Sequence, residues 1–354
     1  MDYNLAVYII YGLLTLFALI NSFFMDLLQK QFVEEGFWVV VLSAFAFILL
    51  FGFRDIKVGP DTLNYTALYQ SFEKANFQTD FLIDYLIIFL NLISPEPTIF
   101  FVLMAIGFIV PLIIALRKIS EVYEANFMLV FFSFVSFFFF YTLGINIIRQ
   151  GVSLSFLMLG FINFNLYTGN KKKWIIPFII ALGFHLTSII PIVIFLFVIW
   201  AKRFKIIYFY IIFVCAILIA RMNLGVLALE GIISEILVGN RRMTYLTNES
   251  IIYEVGFKPT FVVFNTLFLI VFTIIYNAFE QTKMYRFLLI YYILTSALFF
   301  MTFQMPYSDR WGVISWITIP FLLSPIFSLR YSHRVATVGV LFLVVVFFIF
   351  KLFL

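Results

Sequence analysis

Four short stretches of this chain carry side chains capable of chemistry, and each lies within or at the edge of a long apolar run. Arg54 follows the run that ends at Phe53 and opens Arg54-Asp55-Ile56-Lys57-Val58-Gly59-Pro60-Asp61. Arg149 and Gln150 stand at the head of an apolar run that continues to Tyr167, with Ser153 one helical turn further on. His185 lies in Gly183-Phe184-His185-Leu186-Thr187-Ser188, and Asp309-Arg310 precede a late run that opens at Trp311. Arginine donates paired hydrogen bonds from a planar fork and keeps its charge when partly desolvated, so several arginines together suit a diphosphate. Histidine and aspartate add the means to orient a hydroxyl group or take its proton. A charge at mid-membrane costs about 2.5–3.5 kcal/mol on insertion scales, so such residues tend to face cavities.

Each stretch also has a plainer reading. Arg54 can be an interfacial arginine reaching for water. Asp61, after Gly59-Pro60 and before Thr62-Leu63-Asn64-Tyr65, stands where a helix N-cap belongs, and capping and catalysis do not exclude each other. Counted from Asp61, Tyr65, Tyr69 and Phe72 fall at +4, +8 and +11, a single helical face that can line a sugar-sized groove or pack on a neighbour. Arg149 by itself would be interfacial; Gln150 and Ser153 make it part of a polar patch. A lone histidine on an apolar segment is more often a satisfied core residue, but Thr187 and Ser188 give His185 a hydroxyl pair beside it. Asp309-Arg310 can be a local ion pair, and Arg241-Arg242 are ordinary loop charges that also attract a polyanion. No Asp-x-Asp, P-loop, dinucleotide fingerprint or Gly-x-Ser-x-Gly elbow occurs, and the two histidines, His185 and His333, are expected on opposite sides of a membrane. No metal and no cofactor are expected.

The scaffold that must hold these residues is a membrane one. The 354-residue chain is 64% hydrophobic and 12% charged, with a mean hydropathy of +1.10. A water-facing surface needs roughly a quarter of its residues charged. Long apolar runs make this an all-α polytopic integral membrane protein and exclude a β-barrel, whose strands would alternate. Fifty-one Phe and nineteen Tyr point to bulky packing and aromatic belts. The pI of about 9.1 comes from Lys and Arg scattered through short loops, a positive-inside pattern that makes nucleic acid an unsuitable partner. Cys215 is the single cysteine, so no intramolecular disulfide is possible. The first run lacks a basic n-region and a small-residue cleavage site, and is expected to be a retained span.

About ten full spans are expected: 5–24, 37–53, 98–116, 127–144, 147–167, 204–220, 260–279, 285–303, 311–328 and 335–354. Phe81–Ile93 is too short to cross and carries Asp84 and Asn91, so it reads as an interfacial or re-entrant helix closed by Ser94-Pro95-Glu96-Pro97. Trp174–Trp200 is interrupted at Gly183 and His185. A re-entrant hairpin turning near His185 puts Arg117-Lys118, Lys171–Lys173, Lys202-Arg203, Lys283/Arg286 and Arg330/Arg334 all on the cytoplasmic side. The outer face then carries segments at about 54–80, 221–259 and 304–310, within a single transmembrane domain of residues 1–354.

Taken in order, Arg54-x4-Gly59-x-Asp61-x3-Tyr65-x6-Phe72, Arg149-Gln150, Phe184-His185-x-Thr187-Ser188 and Asp309-Arg310 before a late span resemble the EpsG-like polysaccharide polymerases, which belong with the Wzy-type O-antigen and capsule polymerases. The resemblance runs from Arg54 to Arg310, and its first element is the most specific. Pro60 stands where a small hydroxyl residue is common, and Trp316 where a Tyr-Phe pair is expected after the late arginine. The resemblance implies a GT-C-like, metal-independent glycosyltransferase of the bacterial inner membrane. It would move a growing oligosaccharide from undecaprenyl diphosphate onto the next lipid-linked repeat unit at the periplasmic face. Arg54, Arg149 and Arg310 would stabilise the departing diphosphate. His185 or Asp61 would orient or deprotonate the acceptor hydroxyl, and Tyr65 and Tyr69 would stack on sugars. Gln150, Ser188, Arg241, Arg242 and Asp309 would complete the substrate contacts. The implied partners are the lipid-linked oligosaccharide, membrane lipids and a chain-length regulator. An O-antigen ligase using the same lipid donor, or a lipid-linked oligosaccharide flippase, are the alternatives. Against a flippase stand the lack of paired, interrupted half-sequences and the gathering of polar residues on one face.

Overall fold

The computed structural model describes residues 3–24, 31–71, 80–167, 169–225, 255–278 and 282–353, and these are helical apart from turns and one isolated bridge, Ala125 to Ser328. Two compact units emerge, Met1–Ile192 with Leu323–Leu354, and Val193–Leu322.

The first unit contains α1 (Tyr3–Phe23), α2 (Gln31–Gly52), α3 (Thr62–Gln70), α4 (Phe81–Asn91), α5 (Thr98–Tyr123), α6 (Phe127–Val135), α7 (Phe138–Ile145), α8 (Ile148–Leu166) and α9 (Lys172–Phe184). It also holds the start of α10 (Ile189–Ala201) and the final helix α16 (His333–Phe353). α8 packs closely on both α5 and α9, α2 lies along α5, and α16 lies along α1. The second unit holds the rest of α10, α11 (Ile206–Arg221), α12 (Pro259–Ala278), α13 (Lys283–Met301), α14 (Asp309–Trp316) and most of α15 (Ile319–Leu323). Its apolar core has a polar node. The Asn265 side-chain oxygen accepts hydrogen bonds from Ser296 at 3.0 Å and Tyr292 at 3.3 Å, joining α12 to α13, and from Ser315 of α14 at 3.4 Å. Such bonds hold helices together where apolar surface alone gives no preference over lipid.

Among the described residues, five helical stretches are long and apolar enough to cross a membrane: α1, α5, α12, α13 and Asp309–Phe327. Large apolar side chains such as Leu42, Phe45 and Val263 remain more than half exposed, which suits hydrocarbon and not water.

One expected span is sharply bent. Between α6 and α7 the axis turns by 72°, so the 127–144 run is a bent pair, a sixth crossing if its halves are counted as one. Ser136 supplies the reason. Its hydroxyl bonds back to Phe132 O at 2.8 Å and receives the Tyr11 hydroxyl at 3.2 Å, while Phe137 is extended (φ −99°, ψ 140°). A serine offered both partners competes with the helical ladder, and the break is tolerated because it is buried in protein. The expected interruption near His185 is present, since α9 stops at Phe184 and His185 is extended (φ −156°, ψ 104°). A short 3₁₀ turn, Leu186–Ser188, leads into α10.

Candidate active site

The loop after α2 is fixed by Gly59. Its φ of +81° is in the left-handed region, and a Cβ there would run into the Asn146 and Ile145 side chains at the end of α7. This close approach brings Arg54 to the same place. Its Nε donates to Thr62 Oγ1 at 3.0 Å, its Nη1 to Phe51 O and its Nη2 to Ile145 O at 3.3 Å, and the guanidinium lies 4.0 Å over the Phe101 ring. Burial lowers the Arg54 pKa to about 10, so the group stays charged near neutrality.

Asp61 occupies the N-cap position of α3 without capping it, since its side chain accepts no cap hydrogen bond. On the shared face of α3, Tyr65 lies beneath Arg149, whose guanidinium carbon is 5.8 Å from the ring centre. Tyr69 is fully buried: its hydroxyl donates to Ser94 O at 2.6 Å and its ring packs on Phe100. Phe72 lies outside the described residues.

The centre of the first unit's polar cluster is Asp80, which the sequence reading did not single out. Arg149 Nη1 donates to its Oδ2 at 2.6 Å, and the Leu186 backbone N–H donates to its Oδ1 at 2.9 Å. His185 Nδ1 stands 3.7 Å from the same Oδ2, beyond hydrogen-bond length. Nδ1 is buried with no hydrogen-bond partner among the described residues. Local structure explains the convergence. Where α9 ends, Leu186 N–H is released from the helical ladder and points at a carboxylate. α4, which Asp80 precedes, reaches α9 closely because Gly183 leaves room for Phe81 and Leu82. Burial alone would raise the Asp80 pKa, but His185, Arg149 and the Leu186 amide outweigh it and hold the carboxyl below its usual range.

Asp84, one turn along α4, is buried as well. Burial raises its pKa, the Asp80 charge adds to this, and Arg149 opposes it. Behind His185, Ser153 Oγ donates to Ala181 O at 2.8 Å, so in its close contact with Ser188 the Ser188 hydroxyl is the donor. Gln150 is buried beside Arg149 on α8.

In the second unit, Arg310 stacks 4.6 Å over the Tyr307 ring at the start of α14, beside Asp309. Lys258 Nζ donates to Ser308 Oγ at 2.9 Å, and Arg221 lies 5.2 Å over Phe257. Gly256 N–H donates to Phe303 O at 2.9 Å, which ties the turn before α12 to the turn after α13. Trp316 packs with Phe261, Phe264 and Phe299 in this unit's core. Arg241 and Arg242 lie outside the described residues. Among the described residues no group of three or more His, Cys, Asp or Glu side chains could hold a metal ion.

The fold and this cluster define a polytopic helical membrane protein with arginine, carboxylate and imidazole gathered at a half-buried junction of α4, α8 and α9. The EpsG family model matches residues 37–354, nearly the whole chain, and the chain belongs to the EpsG family, polysaccharide-polymerase-type membrane proteins of the Wzy kind. No curated protein and no solved structure matches it.

Proposed function

We propose that this chain is a bacterial inner-membrane glycosyltransferase that polymerises undecaprenyl-diphosphate-linked repeat units into O-antigen, capsule or exopolysaccharide at the periplasmic face. The observation that carries this reading is the junction of Arg149, Asp80, His185 and Tyr65, in a chain of the EpsG family. In the reaction the acceptor hydroxyl attacks the anomeric carbon of the donor sugar. The bond from that carbon to the diphosphate breaks, and the diphosphate leaves with the electron pair. Arg149 and Arg54 stabilise the departing charge, which is the main electrostatic task of such a transfer. His185 takes the acceptor proton, and Tyr65 offers an aromatic face for a sugar. Arg310 serves phosphate binding within its own unit. This reading takes a GT-C-like arrangement of ten crossings, counting α2, α8, α11 and α16 as crossings beside the six stretches already described. The basic loops support an orientation with Arg54 and Ser308 outside.

The decisive experiment is elongation by purified protein, with a lipid-diphosphate repeat unit as sole substrate and a chelator present. Long polymer is expected, and Arg149→Ala or Arg54→Ala should abolish it at unchanged protein level. A reaction needing a nucleotide sugar, or long polymer from both variants, overturns the proposal.

A further inference from the structure

We infer that Arg149 and His185 compete for one oxygen of Asp80, and that diphosphate capture by Arg149 hands this oxygen to His185, turning the imidazole into the base. The inference rests on the diphosphate reading above. Asp80 Oδ1 is tied to the Leu186 N–H at 2.9 Å, which anchors the carboxylate to the residue next to His185. Oδ2 is occupied by Arg149 at 2.6 Å, while His185 Nδ1 waits 3.7 Å away. That nitrogen is buried and has no hydrogen-bond partner among the described residues, an arrangement that is unfavourable unless a partner arrives. Closing the gap to an ordinary hydrogen bond requires a shift of only about 0.8 Å.

The three groups differ in freedom. The Asp80 side chain is 6% exposed and pinned, whereas the Arg149 side chain is 34% exposed and able to turn toward an anion. While Arg149 is seated on Oδ2 at 2.6 Å, the ring is held off at 3.7 Å, short of a hydrogen bond. Once a diphosphate draws the guanidinium off, the carboxylate accepts Nδ1–H and leaves the lone pair on Nε2. Asp80 is thus a positioning residue, in the way a buried aspartate fixes the imidazole of a Ser–His–Asp triad. The acceptor O–H proton passes to Nε2 as the new glycosidic bond forms and the diphosphate leaves, and the imidazolium then returns the proton to the departing diphosphate or to water. The acceptor is activated only when a donor is in place.

The chain has two histidines, so His333→Gln leaves His185 as the single imidazole signal in this 354-residue chain. With ¹⁵N-histidine labelling in micelles, farnesyl diphosphate is the probe. Its binding should shift the ring to the Nδ1–H tautomer with a hydrogen-bonded Nδ1 resonance. Asp80→Asn, whose amide oxygen still accepts from Leu186 N–H, should abolish the shift while probe binding persists. Asp80→Glu should restore part of it. If the probe binds in an Arg149-dependent way and the His185 resonances do not move, the relay is wrong and the diphosphate site stands. If Arg149→Ala binds the probe as well as the parent protein, the diphosphate reading fails and takes the relay with it.

Discussion

The Asp80–Arg149 pair permits a quantitative test, because its two partners are unequally buried. At 2.6 Å two unit charges attract by about 6 kcal/mol with an effective dielectric of about 20, an upper bound from which desolvation must be subtracted. Asp80 is 6% exposed and Arg149 is 34% exposed, so removing one partner has different consequences on each side. Arg149→Gln strands a buried carboxylate and should cost about 2–4 kcal/mol, toward the range for breaking buried pairs. Asp80→Asn strands a guanidinium that water reaches, and keeps an acceptor for Leu186 N–H, so about 1–2 kcal/mol is expected after allowing for solvent screening. The double variant should be less destabilised than the sum, with a coupling of about 1–3 kcal/mol. Equilibrium unfolding in mixed micelles measures all four proteins. Additive effects within about 0.3 kcal/mol, or a larger loss for Asp80→Asn than for Arg149→Gln, would refute the assignment of Asp80 as the buried centre of the site.

Other positions give independent checks. Gly59→Ala should cost about 2 kcal/mol or more, from a positive φ of +81° and from the collision with Asn146, and should reduce elongation by displacing Arg54; thermal unfolding with an activity assay reads both. Asp84 has a raised pKa, so its charged form opposes folding at neutral pH, and Asp84→Asn should leave stability unchanged or higher there, with the gain fading as pH falls. Asp80 has the opposite sign: its lowered pKa gives stability that is present above the usual carboxylate range and lost as pH falls through the folded value, so an unfolding titration of Asp80→Asn should converge on the parent at acid pH. Tyr69→Phe should cost about 1 kcal/mol through the lost bond to Ser94 O and leave elongation near normal, whereas a large loss of turnover would restore Tyr69 to a sugar-contacting role.

Much of the scaffold was legible because apolar runs and breakers act locally. Gly59-Pro60 set the turn into α3, and the polar Gly183–Ser188 stretch marked the end of α9. Arg149 and His185 were legible as charges at apolar boundaries, but the residue that joins them was not. Asp80 stands directly before an apolar helix, which is the pattern of an N-cap, and its side chain instead serves Arg149 and Leu186, 69 and 106 residues away. The signal in the sequence was the pair Asp80-x3-Asp84 opening a helix too short to cross, two carboxylates on one face that lipid would not tolerate. The bend at Ser136 was hidden for a similar reason, since the Tyr11 hydroxyl that donates to this serine stands 125 residues earlier in the chain.

The interruption of α9 is what makes the site possible. In a continuous helix through 172–201 the Leu186 N–H would be used within the ladder, and Asp80 would lose the donor that fixes its carboxylate. His185 would project at a helical phase set by its neighbours, with no reason to stand beside that carboxylate. Ending the helix at Phe184 releases the Leu186 N–H, and the extended backbone at His185 turns the ring toward Oδ2. Ser153 keeps the break in place, because its bond to Ala181 O reinforces the last turn of α9 while Ser188 donates to it from the other side of His185. Replacing Ser153 by Ala therefore removes no group from the chemistry, yet it loosens both flanks of the imidazole at once.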